Sequence, residues 1–434
     1  MVASVLTDLE RRVEAHPEKL LFSYLDKNGI ELAQHSYASF LTHVDRIAGH
    51  LAQRSGLSSG ERVLLVFPPG LDLVCALFAC ARADLIPVPV APPMSRGIEA
   101  AIFQITHVAR DCRAVALLTT IECRDLLKQN VGSRAELPRS NMMAALDYIV
   151  IEDLREDAPL ARRSHGDIFF LQYTSGSTSQ PKGVMVTHEN ILSNCRLVVD
   201  HDAPIAVSWL PQHHDMGLIG YYIFIALSGG TTYGFSATSF IQRPALWLST
   251  ITSRRATASS APNFAYEYCL QRGRISDEIL ATLDLSSLRF LMAAAEPVRP
   301  ETYRQFLHKF QKYGLRQDSF FVAYGLAENT LAVTNYGRAP ISVHKGALSN
   351  GVVRLTQDAS AVASARHIMS CGVPLADNKL RIVNPETNIP LSEDHVGEIW
   401  IAGSSKCKGY WGNSHLTTKI FNARIAGDTS SYLR

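Results

Sequence analysis

The stretch that decides both fold and chemistry is Tyr173-Thr174-Ser175-Gly176-Ser177-Thr178-Ser179-Gln180-Pro181-Lys182-Gly183. It follows the apolar run 168–171, which predicts a buried strand, and its cluster of Ser, Thr and Gly predicts an exposed loop. Such a loop presents backbone N–H groups, hydroxyls and one ammonium group to a single point, and its glycines allow a ligand to approach the backbone closely. These are the groups that a polyphosphate requires. The alternative is a polar surface loop without a ligand.

The loop differs from the G-x-x-x-x-G-K-S/T loop of nucleoside triphosphatases. Pro181 stands where that pattern has its second glycine, and Gly183 rather than Ser or Thr follows Lys182. The residues alone therefore predict a phosphate-binding loop of another type.

Short apolar segments alternate with helical patterns along most of the chain. Strands are predicted at residues 62–67, 114–118, 148–151, 168–172, 206–210, 288–293 and 320–324. Helices are predicted at residues 71–83 and at residues 300–313, where Pro300 starts the helix and Gly314 follows it. This alternation predicts an α/β protein with largely parallel sheets, in which ligands bind beyond the carboxyl ends of the strands. After about residue 335, short strands such as 379–383 and 397–402 predict a small β-rich part.

The composition narrows the functional class. With 434 residues, of which 47% are hydrophobic and 19% charged, the chain can bury a large core and resembles a globular enzyme. The formal net charge is only +2, and no Lys/Arg block or zinc-finger spacing occurs. We therefore predict no binding to nucleic acid.

The cysteines and the amino terminus bear on the compartment. The eight cysteines are scattered without a C-x-x-C motif, which predicts free thiols in a reducing compartment. Charged residues interrupt the first twelve positions, and the spacing of Leu6, Leu9 and Val13 predicts an amphipathic helix rather than a signal peptide. The longest apolar run, 216–227, is too short to span a bilayer. We predict a cytoplasmic protein without an integral membrane segment.

The order Tyr-Thr-Ser-Gly-Ser-Thr, two variable residues and Pro-Lys-Gly resembles the phosphate-binding signature of adenylate-forming enzymes. That superfamily includes acyl-CoA synthetases, luciferases, the adenylation domains of peptide synthetases and fatty acyl-AMP ligases. The resemblance implies two α/β subdomains and a small β-rich subdomain, with ATP and Mg²⁺ as cofactors. The implied phosphate-binding residues are Thr174, Ser175, Gly176, Ser177, Thr178 and Lys182.

A second segment is Trp209-Leu210-Pro211-Gln212-His213-His214-Asp215-Met216-Gly217-Leu218-Ile219-Gly220. A metal site is one interpretation, but adjacent side chains of extended backbone point in opposite directions, so two neighbouring histidines rarely share an ion. A structural histidine is another. The string is similar to fatty acyl-AMP ligases in particular, which implies His214 beside the carboxylate and α-phosphate and an acyl tunnel walled by the following helix. A plain core helix explains residues 218–227 equally well. The implied acyl-binding residues are His214, Met216, Gly217, Ile219, Asn263 and Phe264.

The third segment, Tyr324-Gly325-Leu326-Ala327-Glu328, follows a predicted strand. A tyrosine there can offer an aromatic face to a purine, and a carboxylate can hold Mg²⁺. A surface tyrosine and a glutamate stabilised by a helix dipole are the alternatives. The family's Tyr-Gly-x-x-Glu motif implies that Tyr324 and Gly325 contact adenine, and that Glu328, together with Thr174, binds the metal.

A fourth segment, Ala293-Ala294-Ala295-Glu296-Pro297-Val298, aligns with Asn-Gly-Ala-Glu-Pro-Val of fatty acyl-AMP ligases. The resemblance implies adenine contacts from Ala294, Ala295 and Glu296. Alanine replaces the Asn and the Gly here, which removes one side-chain amide and restricts the backbone.

The remaining motifs match the closing part of the family's large N-terminal domain. Residues 335–368 resemble the insertion of fatty acyl-AMP ligases, and residues 369–434 form the expected β-rich subdomain. The family continues past Arg434 with a ribose-binding aspartate and a small C-terminal domain that carries a catalytic lysine. We therefore expect an isolated N-terminal adenylation domain, residues 1–434, that binds nucleotide and acyl chain but turns over weakly.

The reaction implied is attack of a fatty carboxylate on ATP, followed by transfer of the acyl group to the phosphopantetheine thiol of an acyl-carrier protein. The catalytic residues implied are His214, Lys182 and Glu328. An acyl-CoA synthetase, an amino-acid-activating domain in which Asp215 pairs with an amine, and a non-catalytic nucleotide- or lipid-binding module remain as alternatives.

Overall fold

A computed structural model of the chain describes residues 4–93, 97–132, 143, 145–154, 166–174, 181–198, 203–356 and 364–434. The strands are β1 (Leu20–Leu25), β2 (Glu31–Ser36), β3 (Arg62–Val66), β4 (Ile86–Pro89), β5 (Ala116–Thr119), β6 (Asp147–Val150), β7 (Ile168–Thr174), β8 (Lys182–Thr187), β9 (Ile205–Ser208), β10 (Thr231–Gly234), β11 (Ala258–Ala261), β12 (Phe290–Ala293), β13 (Phe320–Gly325), β14 (Ala332–Gly337), β15 (Pro340–His344), β16 (Ala365–Met369), β17 (Val373–Pro374), β18 (Lys379–Val383) and β19 (Glu398–Ala402).

The α-helices span Val5–Ala15, Tyr37–Gln53, Asp72–Arg82, Ile98–Cys112, Ile121–Gly132, His188–Val198, Asp215–Leu218, Phe224–Leu227, Ala237–Gln242, Ala245–Arg254, Asn263–Leu270, Asp277–Thr282, Pro300–Phe310, Lys345–Ser349 and Ser414–Phe421. A π-helical stretch, Ile219–Ile223, joins two of these into one helical segment from Asp215 to Leu227.

A central nine-stranded sheet has the order β17-β14-β13-β12-β11-β9-β10-β1-β2. Its interior pairings, from β13 to β1, are parallel. Its outer pairings, β1–β2, β13–β14 and β14–β17, are antiparallel. Since the interior strands run in one direction, their carboxyl ends share one edge of the sheet, where ligands of α/β proteins bind.

A second, four-stranded sheet has the order β4-β3-β5-β6 and is wholly parallel. The antiparallel pair β7–β8 packs beside β4. Two further antiparallel pairs, β15–β16 and β18–β19, occupy the last hundred residues. The α/β class with two helix-flanked sheets is therefore confirmed, with the central sheet mixed rather than fully parallel at its edges.

Aromatic side chains fill the core on one face of the central sheet. Phe320 of β13 stacks on Tyr303 with ring centroids 4.6 Å apart, and Tyr266 meets Phe306 edge-on at 4.8 Å. Tyr303 and Phe306 come from the helix that Pro300 begins, as predicted from the sequence, although its last turn, Gln311–Tyr313, is a 3-10 helix. This packing fixes β12 and β13, which carry part of the site described below.

The predicted strands all occur, with ends that differ by one or two residues. The stretch predicted as an insertion, 335–368, starts inside β14, so its first three residues belong to the central sheet. Its other described residues include the β15–β16 pair and the helix Lys345–Ser349. Residues 155–165 and 357–363 lie outside the described residues. In the ranges that the structure describes, no helix has the length and apolar character to cross a membrane.

Candidate active site

A cavity of about 790 Å³ lies against one face of the central sheet. Phe290 and Met292 of β12 and Ala323 of β13 form its sheet side, and Tyr221 and Phe224 of the Asp215–Leu227 segment also line it. Phe290 and Met292 share a face because alternate residues of a strand point the same way. The cavity is thus a space between the sheet and this helical segment.

The cavity follows the strands from one edge of the sheet to the other. At the carboxyl edge its wall includes Ala294 and Tyr324, and at the amino edge it includes Ile205, Ala258 and Phe290, the first residues of their strands. A four-residue strand such as β12 is about 13 Å long at roughly 3.3 Å per residue. The space is deep enough to enclose an extended chain.

Polar groups gather at the carboxyl end of the cavity. Thr174 ends β7, His214 precedes the helical segment, and Tyr324 and Glu328 lie at the end of β13 and in the turn after it. Of the residues named from the sequence, the cavity wall brings together Thr174, His214, Met216, Ala294, Ala295, Tyr324, Gly325 and Glu328.

The two adjacent histidines have opposite electrostatic surroundings. A hydrogen bond to Asp215, whose Oδ1 lies 2.7 Å from Nδ1 of His214, raises the pKa of His214. Burial, with a smaller contribution from the charge of His214, lowers the pKa of His213 to about 4. At neutral pH, His213 is therefore uncharged, and His214 is the histidine that can carry a positive charge at the polar end.

Asp215 is already engaged by its neighbours. Its Oδ1 accepts a hydrogen bond from the Met216 N–H at 2.6 Å in addition to its contact with His214. A carboxylate neutralised in this way is poorly suited to pair with a substrate amine.

The carboxylate of Glu328 accepts a hydrogen bond from a tyrosine. The Tyr410 hydroxyl donates to Glu328 Oε1 at 2.7 Å, and Lys182 Nζ lies 5.4 Å from the centroid of the Tyr410 ring. Lys182 itself is not part of the cavity wall, but this contact places it on the same side as Glu328. Two of the predicted catalytic residues are thereby linked through a third side chain.

Gly325 has a steric reason to be glycine. A Cβ at this position would meet the Leu331 carbonyl oxygen at 1.9 Å, because the chain turns back sharply and Leu326 N–H donates to the same carbonyl. The close turn brings Tyr324 and Glu328 to one wall of the cavity. The Tyr-Gly-x-x-Glu spacing is thus explained by the turn that it forms.

Several residues named from the sequence lie outside the cavity wall. Ile219 is fully buried in the core, and Gly217 packs on the Pro211 carbonyl, which a Cβ would meet at 2.2 Å. Asn263 accepts a hydrogen bond from the Arg299 N–H, and Phe264, 41% exposed, donates its N–H to Glu296. The cavity therefore does not support acyl binding by these four residues, nor adenine binding by Glu296, which also lies outside its wall.

The predicted phosphate-binding residues Ser175, Gly176, Ser177 and Thr178 lie outside the described residues. The two ends of that loop are described: Thr174 lines the cavity, and Lys182 begins β8. They lie opposite each other as the last pair of the β7–β8 ladder. Thr174 therefore brings the end of β7 to the polar end of the cavity, with Lys182 opposite it on β8.

Other wall residues were not identified from the sequence. Phe290, Met292 and Ala323 of the sheet line the cavity, whereas Phe224 and Ile225 belong to the helix that the resemblance implied as a tunnel wall. The period-2 pattern of Phe290 and Met292 was a usable signal for one shared face. Tyr410 lies 82 residues after Glu328 along the chain. No local sequence pattern connects the two residues.

The sequence profile of AMP-binding enzymes matches residues 9–411. The chain belongs to this family, and its resemblance to fatty acyl-AMP ligases is confirmed by its relatives. It is 34% identical over 438 residues to the medium-chain-fatty-acid–acyl-carrier-protein ligase JamA of Moorena producens, which covers 98% of this chain and 72% of JamA. It is 32% identical to the 4-hydroxyphenylalkanoate adenylyltransferase of Mycobacterium marinum, with 98% and 69% covered.

Solved structures of fatty acyl-AMP ligases share the fold of this chain. The fatty acid AMP ligase from Legionella pneumophila superposes with a TM-score of 0.87 at 34% identity, over 99% of this chain and 73% of that one. A fatty acyl-adenylate ligase from L. pneumophila in complex with acyl adenylate and pyrophosphate gives the same TM-score and identity, with 74% of that chain covered.

The donor set at the polar end fits a magnesium nucleotide. Glu328 supplies a carboxylate and Thr174 a hydroxyl, both hard oxygen ligands, at one end of one cavity. The described residues include no cluster of three His, Cys, Asp or Glu side chains able to hold a metal alone. Mg²⁺ is commonly held by one or two carboxylates together with substrate phosphates.

Proposed function

We propose that the chain activates a fatty acid with ATP to form an acyl-adenylate and pyrophosphate. The observation that carries the proposal is one continuous cavity with a polar end beside the candidate phosphate loop and an apolar body along the sheet. An adenylate needs the first part and an acyl chain the second. The AMP-binding family and the names of the relatives agree with this assignment.

In the reaction, a carboxylate oxygen of the fatty acid forms a bond to the α-phosphorus of ATP. The bond from that phosphorus to the bridging oxygen breaks, and pyrophosphate leaves with the electron pair. Glu328 and Thr174 would hold Mg²⁺ together with the phosphates, and the bound ion would supply charge neutralisation. The chain's own residues orient the reactants: His214 faces the carboxylate and α-phosphate, Lys182 the leaving phosphates, and Tyr324 the adenine.

The phosphopantetheine thiol of an acyl-carrier protein, we propose, then attacks the acyl carbon; the sulfur loses its proton, the bond from that carbon to the phosphate oxygen breaks, and AMP leaves with the electron pair. The relative JamA is named for such a partner. The eight unpaired cysteines support a reducing, cytoplasmic setting. Activation of amino acids is disfavoured because Asp215 is neutralised by His214 and the Met216 N–H.

Isothermal titration calorimetry with dodecanoyl-AMP, AMP and ATP tests the proposal. Burial of at least five methylenes at ~0.8 kcal/mol each gives at least about 4 kcal/mol, so dodecanoyl-AMP should bind at least a thousandfold more tightly than AMP. Equal affinities would show that the cavity is not an acyl site. Phenylalanyl-AMP serves as the amino-acid control.

Two variants separate the polar contacts. Lys182→Ala should weaken ATP binding at least about tenfold, because a charged hydrogen bond to the β- and γ-phosphates is lost. It should leave dodecanoyl-AMP binding unchanged, because the adenylate has already lost those phosphates. Glu328→Gln should reduce the Mg²⁺ dependence of ATP binding. Equal losses for both ligands would refute this division of the site.

A further inference from the structure

Residues 408–411 extend the β7–β8 pair by one more antiparallel segment. The Met185 N–H donates to the Gly409 carbonyl at 2.9 Å, and the Trp411 N–H donates to the Gly183 carbonyl at 2.8 Å. Val184 and Tyr410 face each other across this pairing. The segment is therefore hydrogen-bonded to the strand that begins at Lys182.

The residues just before this segment hold the turn that contains Glu328. The Cys407 N–H donates to the Glu328 carbonyl at 2.9 Å, and the Thr330 hydroxyl donates to the Ser405 carbonyl at 2.7 Å. Thr330 and Cys407 are almost completely buried. One short stretch of chain is thus hydrogen-bonded both to β8, which begins at Lys182, and to the turn that contains Glu328. These two elements are far apart in sequence.

The Tyr410 side chain crosses between these two elements. It is 6% exposed, its ring meets Phe421 edge-on at 5.0 Å, and its N–H donates to the Thr417 hydroxyl at 3.0 Å. Its hydroxyl donates to Glu328 Oε1 at 2.7 Å, while Lys182 Nζ lies over its ring. Neither the ring nor the hydroxyl is free to rotate without losing these contacts.

We propose that Tyr410 is a positioning residue whose hydroxyl holds the Glu328 carboxylate in the orientation that binds the Mg²⁺ of MgATP. The inference rests on the proposed role of Glu328. The Tyr410 hydroxyl is bonded to Glu328, so its effect on the metal nucleotide is exerted through that carboxylate.

The chemistry of the pair suits this role. One lone pair of Glu328 Oε1 accepts the hydrogen bond from the Tyr410 hydroxyl. Oε2 and the second lone pair of Oε1 remain for a cation. Burial, and after it the nearby charge of Glu328, raises the pKa of Tyr410, so the hydroxyl keeps its proton and remains a donor. A carboxylate fixed in advance loses less conformational freedom when the metal nucleotide binds.

Calorimetry on the full chain tests the inference with ATP in Mg²⁺ and in EDTA. Tyr410→Phe should weaken ATP binding about tenfold in Mg²⁺, the lower end of what outer-shell partners contribute to metal affinity. It should leave ATP binding in EDTA and dodecanoyl-AMP binding unchanged. Loss of all three affinities alike would mean that the hydroxyl only supports the fold, and the inference would be overturned.

A matched control is Tyr432→Phe. The Tyr432 hydroxyl also donates to a carboxylate, Asp428 Oδ2, at 2.6 Å, and Tyr432 is also buried, but it does not contact Glu328. All three affinities should be unchanged in this variant. A Mg²⁺-specific loss here equal to that of Tyr410→Phe would contradict the inference.

The double variant Tyr410→Phe with Glu328→Gln gives the sharpest discrimination. If Tyr410 acts through Glu328, adding Tyr410→Phe to Glu328→Gln should cause no further loss in Mg²⁺, whereas independent effects would multiply. Multiplied losses overturn the positioning role. If Glu328→Gln alone leaves Mg²⁺-dependent ATP binding unchanged, Glu328 does not bind the metal, and the inference about Tyr410 is overturned with it. If only Tyr410→Phe is without effect, the inference alone fails.

Tyr410→His keeps a ring N–H donor near Glu328 and guards against a variant that does not fold. It should retain more of the Mg²⁺-dependent affinity than Tyr410→Leu, which has no donor. Equal affinities of these two variants would overturn the inference even if Tyr410→Phe were unstable.

Discussion

The two ends of the cavity are built by different forces. The apolar body lies between strands of the central sheet and the Asp215–Leu227 segment, whose side chains are held by close packing. The polar end is held by side-chain hydrogen bonds between segments far apart in the chain, such as Asn194 to Ala332 and to Ser405. Packing distributes its stabilisation over many small contacts, whereas hydrogen bonds concentrate it in a few atoms. The apolar end should therefore respond to changes of volume and the polar end to single-atom changes.

The largest expected effect comes from filling the apolar end. Ala258 lines the cavity at the start of β11, and Ala258→Phe should block the space beyond it. Loss of four buried methylenes at ~0.8 kcal/mol each gives about 3 kcal/mol, so dodecanoyl-AMP affinity should fall about two hundredfold. Hexanoyl-AMP should bind as before, which calorimetry can measure.

Ala258→Ser is the volume control for this test. Its side chain is only slightly larger than that of alanine, so both acyl-adenylates should bind nearly as they do to the unaltered chain. If Ala258→Phe weakened hexanoyl-AMP as much as dodecanoyl-AMP, the acyl chain would not lie along the strands in the proposed direction.

A smaller effect is expected from breaking one polar connection. Asn194 is fully buried; its amide donates to the Ala332 carbonyl at 2.9 Å and to the Ser405 hydroxyl at 3.0 Å, and it accepts from the Ala332 N–H at 3.1 Å. Asn194→Ala removes these three hydrogen bonds, while the Ala332 carbonyl keeps its bond from the Asn329 amide, and the free energy of unfolding should fall by about 2 kcal/mol. Urea unfolding measures this loss.

The control for Asn194 is an asparagine on the surface. Asn28 is exposed and bonds only to Asp26 nearby in the chain, so Asn28→Ala should change the free energy of unfolding by less than about 0.5 kcal/mol. Equal effects of the two substitutions would mean that the polar end does not depend on these long-range hydrogen bonds.

The smallest effect is a pH dependence of fatty acid binding. Since its hydrogen bond to Asp215 raises the pKa of His214, the imidazolium persists above the ordinary value of about 6.5 and is lost as pH rises through the raised pKa. Dodecanoate affinity should therefore fall a few-fold as pH increases through that range, because the carboxylate loses a positive partner. His213, with its pKa near 4, stays neutral throughout.

Asp215→Asn sharpens this prediction. Removing the carboxylate removes the main cause of the raised pKa, so the midpoint of the affinity change should move to lower pH. Titration calorimetry from about pH 5.5 to about pH 9, a range around the ordinary histidine pKa, records both midpoints. An unchanged midpoint would show that His214 does not govern the pH dependence.

Several features of the fold and of the cavity were predictable from the sequence. The alternation of strands and helices predicted the α/β class, because the spacing of apolar residues follows from local backbone geometry. The motif spacing placed Thr174, His214, Tyr324 and Glu328 at the carboxyl ends of strands or in the turns beyond them, and these four meet at one cavity. Ile219 and Phe264 were assigned to the acyl site from the family resemblance, but they lie outside the cavity wall.

By itself, the sequence predicted the class of fold and several of its strands and helices, and its motifs indicated candidate residues for binding phosphate, metal and adenine. These depend on short-range periodicity, turn chemistry and side-chain functional groups, all of which can be read from neighbouring positions. Only the tertiary structure decided which face of each element borders the cavity and that Tyr410 meets Glu328. The physical reason is that such contacts depend on how strands are ordered and how segments pack, and residues 82 positions apart leave no trace of that in local sequence.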